Sequence, residues 1–174
     1  MRFLVPLSTV FLFLLLFVGP AKAQSPSAEL RGSSISVMGE VGGPAGAYTL
    51  GVEHLFVRTS TLQLGMYVGG SYGRELIWDG TAHALTAGLV GIHRIGAIGS
   101  QPLALEGGLG ATRIHSEFDT GAMNWSTSYR PYLSGTLRLE SSSGRVAYRL
   151  GAVVFSDQND PFFMLPVLGI RVGL

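Results

Sequence analysis

The sequence predicts an all-β chain, an eight-stranded antiparallel up-and-down transmembrane β-barrel. Three observations predict it. Apolar residues are spread over many short segments in which alternate side chains are apolar, the period of a strand with two unlike faces. Eight such segments follow one another, each about ten to fourteen residues long, which is long for a strand in water and right for one crossing a bilayer at a tilt. The connectors between them alternate between short and long, as in barrels with tight turns at one rim and loops at the other.

The first 23 residues stand apart. Met1-Arg2 gives a positive start, Phe3 to Val18 is almost wholly apolar, and Gly19-Pro20 breaks the run before Ala21-Lys22-Ala23. Small residues at Ala21 and Ala23 occupy the two positions a signal peptidase reads. Residues 1-23 therefore read as a secretory signal cleaved before Gln24, residues 24-32 as a short linker and residues 33-174 as the barrel. The apolar run is too short, and too clearly followed by a cleavage pattern, for an anchor helix.

Cleavage leaves 151 residues, enough for one domain. Losing Arg2 and Lys22 lowers the 12 basic residues to 10 against 11 acids, and no lysine remains. A near-neutral chain with no basic cluster gives no electrostatic reason to expect nucleic acid as a partner. With no cysteine, a disulfide scaffold, thiolate metal sites and an acylated N-terminal cysteine are excluded. Beyond the signal, the longest stretch without Asp, Glu, Lys or Arg is the 15 residues Thr59 to Gly73, interrupted by Thr, Ser, Gln and Gly. A membrane helix needs about 20 mainly apolar residues.

The strands read as Ser33 to Gly42, Gly46 to Val57, Ser60 to Tyr72, His83 to Ile95, Gln101 to Ile114, Ser128 to Glu140, Gly144 to Ser156 and Phe163 to Leu174. Connectors after strands two, four and six are short, at Arg58-Thr59, Gly96 to Ser100 and Ser141 to Ser143. Those after strands three, five and seven are longer, at Gly73 to Ala82, His115 to Thr127 and Asp157 to Phe162. Gly43-Pro44-Ala45 is a short connector on the long-loop side. An even number of strands brings both termini to the periplasmic rim.

On strand three Leu62, Leu64, Met66, Val68 and Tyr72 share a face, opposite Thr61, Gln63, Gly65, Tyr67, Gly69 and Ser71. Strand six sets Leu133, Leu137 and Leu139 against Tyr132, Ser134, Thr136, Arg138 and Glu140. Strand eight sets Met164, Leu168, Ile170, Val172 and Leu174 against Gly169, Arg171 and Gly173. Strands four and five are blurred by Val90-Gly91-Ile92 and Gly107-Gly108, where a bulge or a misplaced strand edge is expected. The second face is small, hydroxylated and poor in charge. That suits a crowded lumen better than a solvated exterior, so the apolar face turns to lipid.

Glu40, Glu53, Glu106, Arg138, Arg149 and Arg171 all have the parity of the small-residue face. Three acids and three arginines there predict an ion-pair network in the lumen, because a buried charge without a partner is costly and Arg meets carboxylates with two donors. Aromatic residues gather near the outer ends, at Tyr48, Tyr72, Trp78, Trp125, Tyr129, Phe155, Phe162 and Phe163, with Phe56 near the inner ends. They make a partial interfacial girdle.

With these features in place, the chain resembles the small eight-stranded outer-membrane barrels of the OmpX and OmpW kind and the transmembrane part of OmpA. The likeness is one of pattern over residues 33 to 174. Its most specific residues are Gly169-Ile170-Arg171-Val172-Gly173-Leu174, where Gly169, Val172 and Leu174 fit the C-terminal insertion signal that the barrel assembly machinery reads in this family. The final residue is Leu where the family usually has Phe, and Val167 takes a customary polar position. No periplasmic domain is expected after the barrel. The resemblance implies a bacterial outer-membrane location and, as partners, the assembly machinery, outer-membrane lipid and lipopolysaccharide, with the protein a monomer.

Some barrels of this size modify lipid A, and a deacylase of that kind resembles a His-x-Ser pair on one strand face. Here His115 and Ser116 are adjacent, and His54, His83 and His93 have no Ser two residues away. Gln24 to Gly32 is too short and too rich in Ser and Pro for the amphipathic helix of a palmitoyltransferase-like barrel. No enzyme, catalytic residue or cofactor is expected. His115, Glu117 and Asp119 alternate as three candidate ligands for a divalent cation, but the spacing alone reads first as a solvated rim, and no metal is assigned. The expected role is in envelope integrity or surface interaction through the loops Gly73 to Ala82 and His115 to Thr127. A narrow channel is the alternative.

Overall fold

Eight strands run in sequence: β1 (Ile35–Val41), β2 (Tyr48–Arg58), β3 (Leu62–Arg74), β4 (Gly80–Ile98), β5 (Gln101–Asp119), β6 (Met123–Glu140), β7 (Val146–Phe155) and β8 (Phe163–Gly173). Each pairs antiparallel with the next, and β8 closes on β1. The structure is a computed structural model. It describes residues 34–46, 48–74, 80–119, 123–156 and 163–174, of which 73, 74, 80, 81, 116–119, 123–126 and 163 are described by backbone alone. Residues 1–33, with the expected cleavage positions Ala21 and Ala23, lie outside the described residues, as do Trp78 and Phe162.

The register sets the dimensions. Partners followed around the barrel from Ser36 run through Glu53, Tyr67, Gly88, Gly110, Tyr132, Phe155 and Phe163. Extending the β8–β1 ladder returns to β1 at position 46, ten residues from the start. With about 3.4 Å per residue and about 4.8 Å between strands, that stagger tilts eight strands by about 40° and leaves a barrel radius of about 8 Å. Side chains fill such an interior.

The pleat sorts the residues as their parity requires. Leu50, Val68, Leu89, Leu109, Leu133, Leu150 and Leu168 point outward and are at least half exposed. The residues of the opposite parity, among them Thr49, Tyr67, Thr86, Val90, Thr112, Tyr132, Arg149 and Val167, are buried. Val90 and Ile92 both face the lumen with Gly91 between them, so of the two alternatives expected there it is the strand edges that were misplaced, and the pleat itself is regular. The irregularity on β4 lies lower, between Arg94 and Gly96, and a second interrupts β2 between Leu55 and Val57.

Several expected boundaries need correction. β4 starts at Gly80 and runs to Ile98, β5 continues to Asp119, and β6 starts at Met123. Most of the connector expected over His115 to Thr127 is therefore a hairpin paired down to Asp119↔Met123, and of the connector expected over Gly73 to Ala82, residues 73, 74 and 80–82 are strand. Beyond the lipid a strand meets water on both sides, so its sequence loses the alternation that marks it inside the membrane.

The inner turns are tight. Gly99, at φ +60°, and Ser100 join Ile98 to its partner Gln101, a two-residue hairpin with glycine at the position that demands positive φ. The Thr59 hydroxyl donates to the Leu62 carbonyl at 2.8 Å and accepts from the Leu62 N–H at 2.9 Å. Ser141 accepts from the Gly144 N–H at 2.8 Å through its carbonyl, with Gly144 at φ +68°.

Candidate functional site, the closed lumen

β1, β2, β5, β6, β7 and β8 each send a charged side chain inward, and these meet in one network. Arg149 donates to Glu40 and to Glu106. Arg138, with no exposed surface, reaches Glu106 at 3.0 Å, Glu53 at 3.6 Å and Glu140 at 3.2 Å. Arg171 pairs with Glu53 at 2.8 Å and donates to the Ser36 hydroxyl at 2.6 Å. All six residues singled out by parity thus come together.

Two more belong with them. Glu140 is buried beside Arg138, and Arg94 pairs with it at 3.2 Å near the inner rim. Both share the parity of the lumenal face, which was the signal available in the sequence. Among the residues whose side chains are described, this network joins four acids and four arginines in mutual contact and is balanced in itself, while Arg58 and Arg130 share the lumenal parity beside Gln63 and Thr112. Each guanidinium then offsets the desolvation of the carboxylates around it.

Outward from the charges the lumen becomes aromatic and hydroxylated. The Tyr67 ring lies over Gly51 and Gly69, and the Tyr132 ring over Gly88 and Gly110, where any Cβ would collide with it. Tyr132 also packs on Phe155, with ring centroids 6.2 Å apart, alongside Val153 and Val167. Phe155 was expected among the interfacial aromatics. It shares the parity of Arg149 and faces inward instead.

The connector between β1 and β2 completes the closure. Gly43-Pro44-Ala45, expected as an ordinary short loop, is buried. The Pro44 carbonyl accepts from the Thr112 hydroxyl on β5 at 2.6 Å, and the Ala45 carbonyl from the Ser71 hydroxyl on β3 at 2.8 Å. The Ala45 N–H donates back to the Thr49 hydroxyl at 3.1 Å. The loop turns inward at Gly42 and out at Gly46, at φ +73° and +116°, a conformation that glycine reaches without a Cβ penalty. Thr112→Val removes the bond that holds Pro44 across the barrel. A loss of about 1 kcal/mol is expected in urea unfolding from vesicles, with the barrel still formed.

No protein-family model matches the sequence, and no curated protein sequence matches it. Solved structures do. The chain aligns with the attachment invasion locus protein Ail of Yersinia pestis at TM-score 0.53 and 13% identity, over 82% of this chain and 99% of that one. Neisserial surface protein A aligns at 0.52 and 13%, over 82% and 98%. The N-terminal β-barrel domain of Pseudomonas aeruginosa OprF aligns at 0.51 and 11%, over 83% and 100%. The fold is that of the small outer-membrane barrels.

In this barrel the expected insertion signal lies at the seam. Gly169 faces inward against Glu40, while Val172 and Leu174 point outward, Leu174 being the most exposed of the large apolar side chains at 77%. The Leu174 N–H donates to the Ile35 carbonyl at 3.1 Å, so the two ends of the described barrel are neighbours at one rim. Of the candidate cation ligands, the His115 ring bonds the Thr127 hydroxyl at 2.9 Å. The side chains of Glu117 and Asp119 lie outside the described residues.

Proposed function

We propose that this chain is an outer-membrane barrel with a closed lumen, serving envelope integrity or surface interaction through its outer loops. The signal peptide is removed after Ala23, both termini lie in the periplasm, and insertion uses the assembly machinery acting on the C-terminal strand. The mature protein is a monomer in contact with outer-membrane lipid and lipopolysaccharide, and it is not an enzyme.

The filled interior supports this reading. A conducting path through an eight-stranded barrel would have to cross the Arg138 and Arg149 clusters and then the Pro44 loop. The outer loops are the parts left for recognition. In planar bilayers the purified protein should give no steady openings. Steady, ion-selective openings abolished by substitution of Glu106 or Arg149 would replace this reading with that of a narrow channel. Heat-dependent migration on gels and co-fractionation with outer membranes test the location.

A further inference from the structure

The four acids with described side chains, Glu40, Glu53, Glu106 and Glu140, all face the lumen. The outward face near the outer rim of β4 and β5 carries Arg113, His83 and His115, followed along β5 at the same parity by Glu117 and Asp119. Arg113 is exposed, flanked in register by Leu85 and Tyr129. His83 and His115, two positions further out, are direct cross-strand partners, and the Tyr72 ring stacks obliquely on His83 with centroids 4.5 Å apart. Cross-strand and diagonal neighbours lie about 5 to 8 Å apart, so three bases edged by the exposed rings of Tyr72 and Tyr129 form one patch.

The height of the patch decides its ligand. On β5 the outward residues Leu103, Leu105, Leu109 and Ala111 precede Arg113. At about 2.6 Å of rise per residue for a strand tilted about 40°, they cover about 20 Å of a hydrocarbon band about 25 Å tall. Arg113 and His115 then fall about 5 and 10 Å beyond Ala111, among the headgroups. The Arg113 guanidinium and the imidazole N–H groups of His83 and His115 are hydrogen-bond donors on one patch, and a phosphate oxygen accepts from such donors.

We propose that Arg113, His83 and His115 form a binding site for the phosphate of an outer-leaflet lipid. The site rests on the membrane reading above and adds the residues through which the barrel holds its lipid. The test uses the full mature chain refolded in micelles doped with equal amounts of phosphatidic acid and phosphatidylcholine, with retained lipid measured by native mass spectrometry. Wild type should prefer phosphatidic acid. R113Q should lose about fivefold of that preference, and R113Q/H83Q/H115Q should retain the two lipids alike. R145Q, altered in the exposed inner turn, should match wild type, and millimolar inorganic phosphate should leave retention unchanged.

Equal preference in wild type and the triple variant overturns the site, and displacement by inorganic phosphate assigns it to the free anion instead. A wild type that gives no heat-modifiable folded band removes the membrane reading itself. A folded wild type without preference removes only the site.

Discussion

Arg149→Met should destabilise the barrel by about 3 to 5 kcal/mol, the range for breaking a buried ion pair from one side. Arg149 joins two carboxylates that lie on opposite sides of the lumen, Glu40 on β1 and Glu106 on β5. Glu106 keeps Arg138 when the guanidinium is lost. Glu40 keeps no arginine among the ion pairs of the described residues, and its second carboxylate oxygen already lacks a hydrogen-bond donor. The penalty is therefore the cost of a carboxylate stranded in a dry interior, not the worth of one attraction. Methionine fills most of the volume and keeps packing against Met38. Urea unfolding from phosphatidylcholine vesicles measures the effect. Glu40→Gln in the same chain should recover a large part of it, because the amide carries no charge to strand. A single-variant loss below about 1 kcal/mol, the value of a solvated pair, would show that water reaches this layer.

Leu89→Arg should cost about 2 to 4 kcal/mol, the depth-dependent penalty for a guanidinium facing lipid at the midplane. Leu89 stands between Met66 and Leu109 in register, and all three are about half exposed on the outward face. A guanidinium there has no carboxylate within reach on its own side of the sheet, and the nearest headgroups are about half the band away. Met164→Arg, at the outer end of β8, should cost only about 0 to 1 kcal/mol because its side chain reaches the interface. The contrast between the two sites is the diagnostic result. Equal costs would mean that the outward face meets water along its whole height, as in a soluble barrel.

The features that period-two patterning controls were legible in the sequence. Arg171 lies between Gly169 and Gly173, and Glu53 follows Thr49 and Gly51, on the face opposite the exposed Val52 and Ile170, so parity alone puts both in the lumen. The same parity reaches Glu140, Arg94 and Phe155, whose inward direction follows from Arg138, Ile92 and Arg149 on their own strands. Other features have no local mark. The break in β2 falls within Leu55-Phe56-Val57, three apolar residues in a row, where a pleat and a bulge read alike. The extensions of β5 and β6 lie beyond the lipid, where water on both faces removes the need to alternate. The Pro44 loop depends on Thr112, 68 residues away, and no neighbouring residue announces that contact.

The position of the seam has a kinetic consequence. Arg149 and Arg171 come from the last two strands, and their partners Glu40, Ser36 and Glu53 come from the first two. An open sheet of eight strands would part Arg149 from Glu40 and Arg171 from Glu53 and Ser36, and leave Glu40 and Arg171 at opposite edges. Folding is thus forced toward an all-or-none closing event in which the ends of the chain neutralise each other, and a ring ajar by a single strand is electrostatically frustrated.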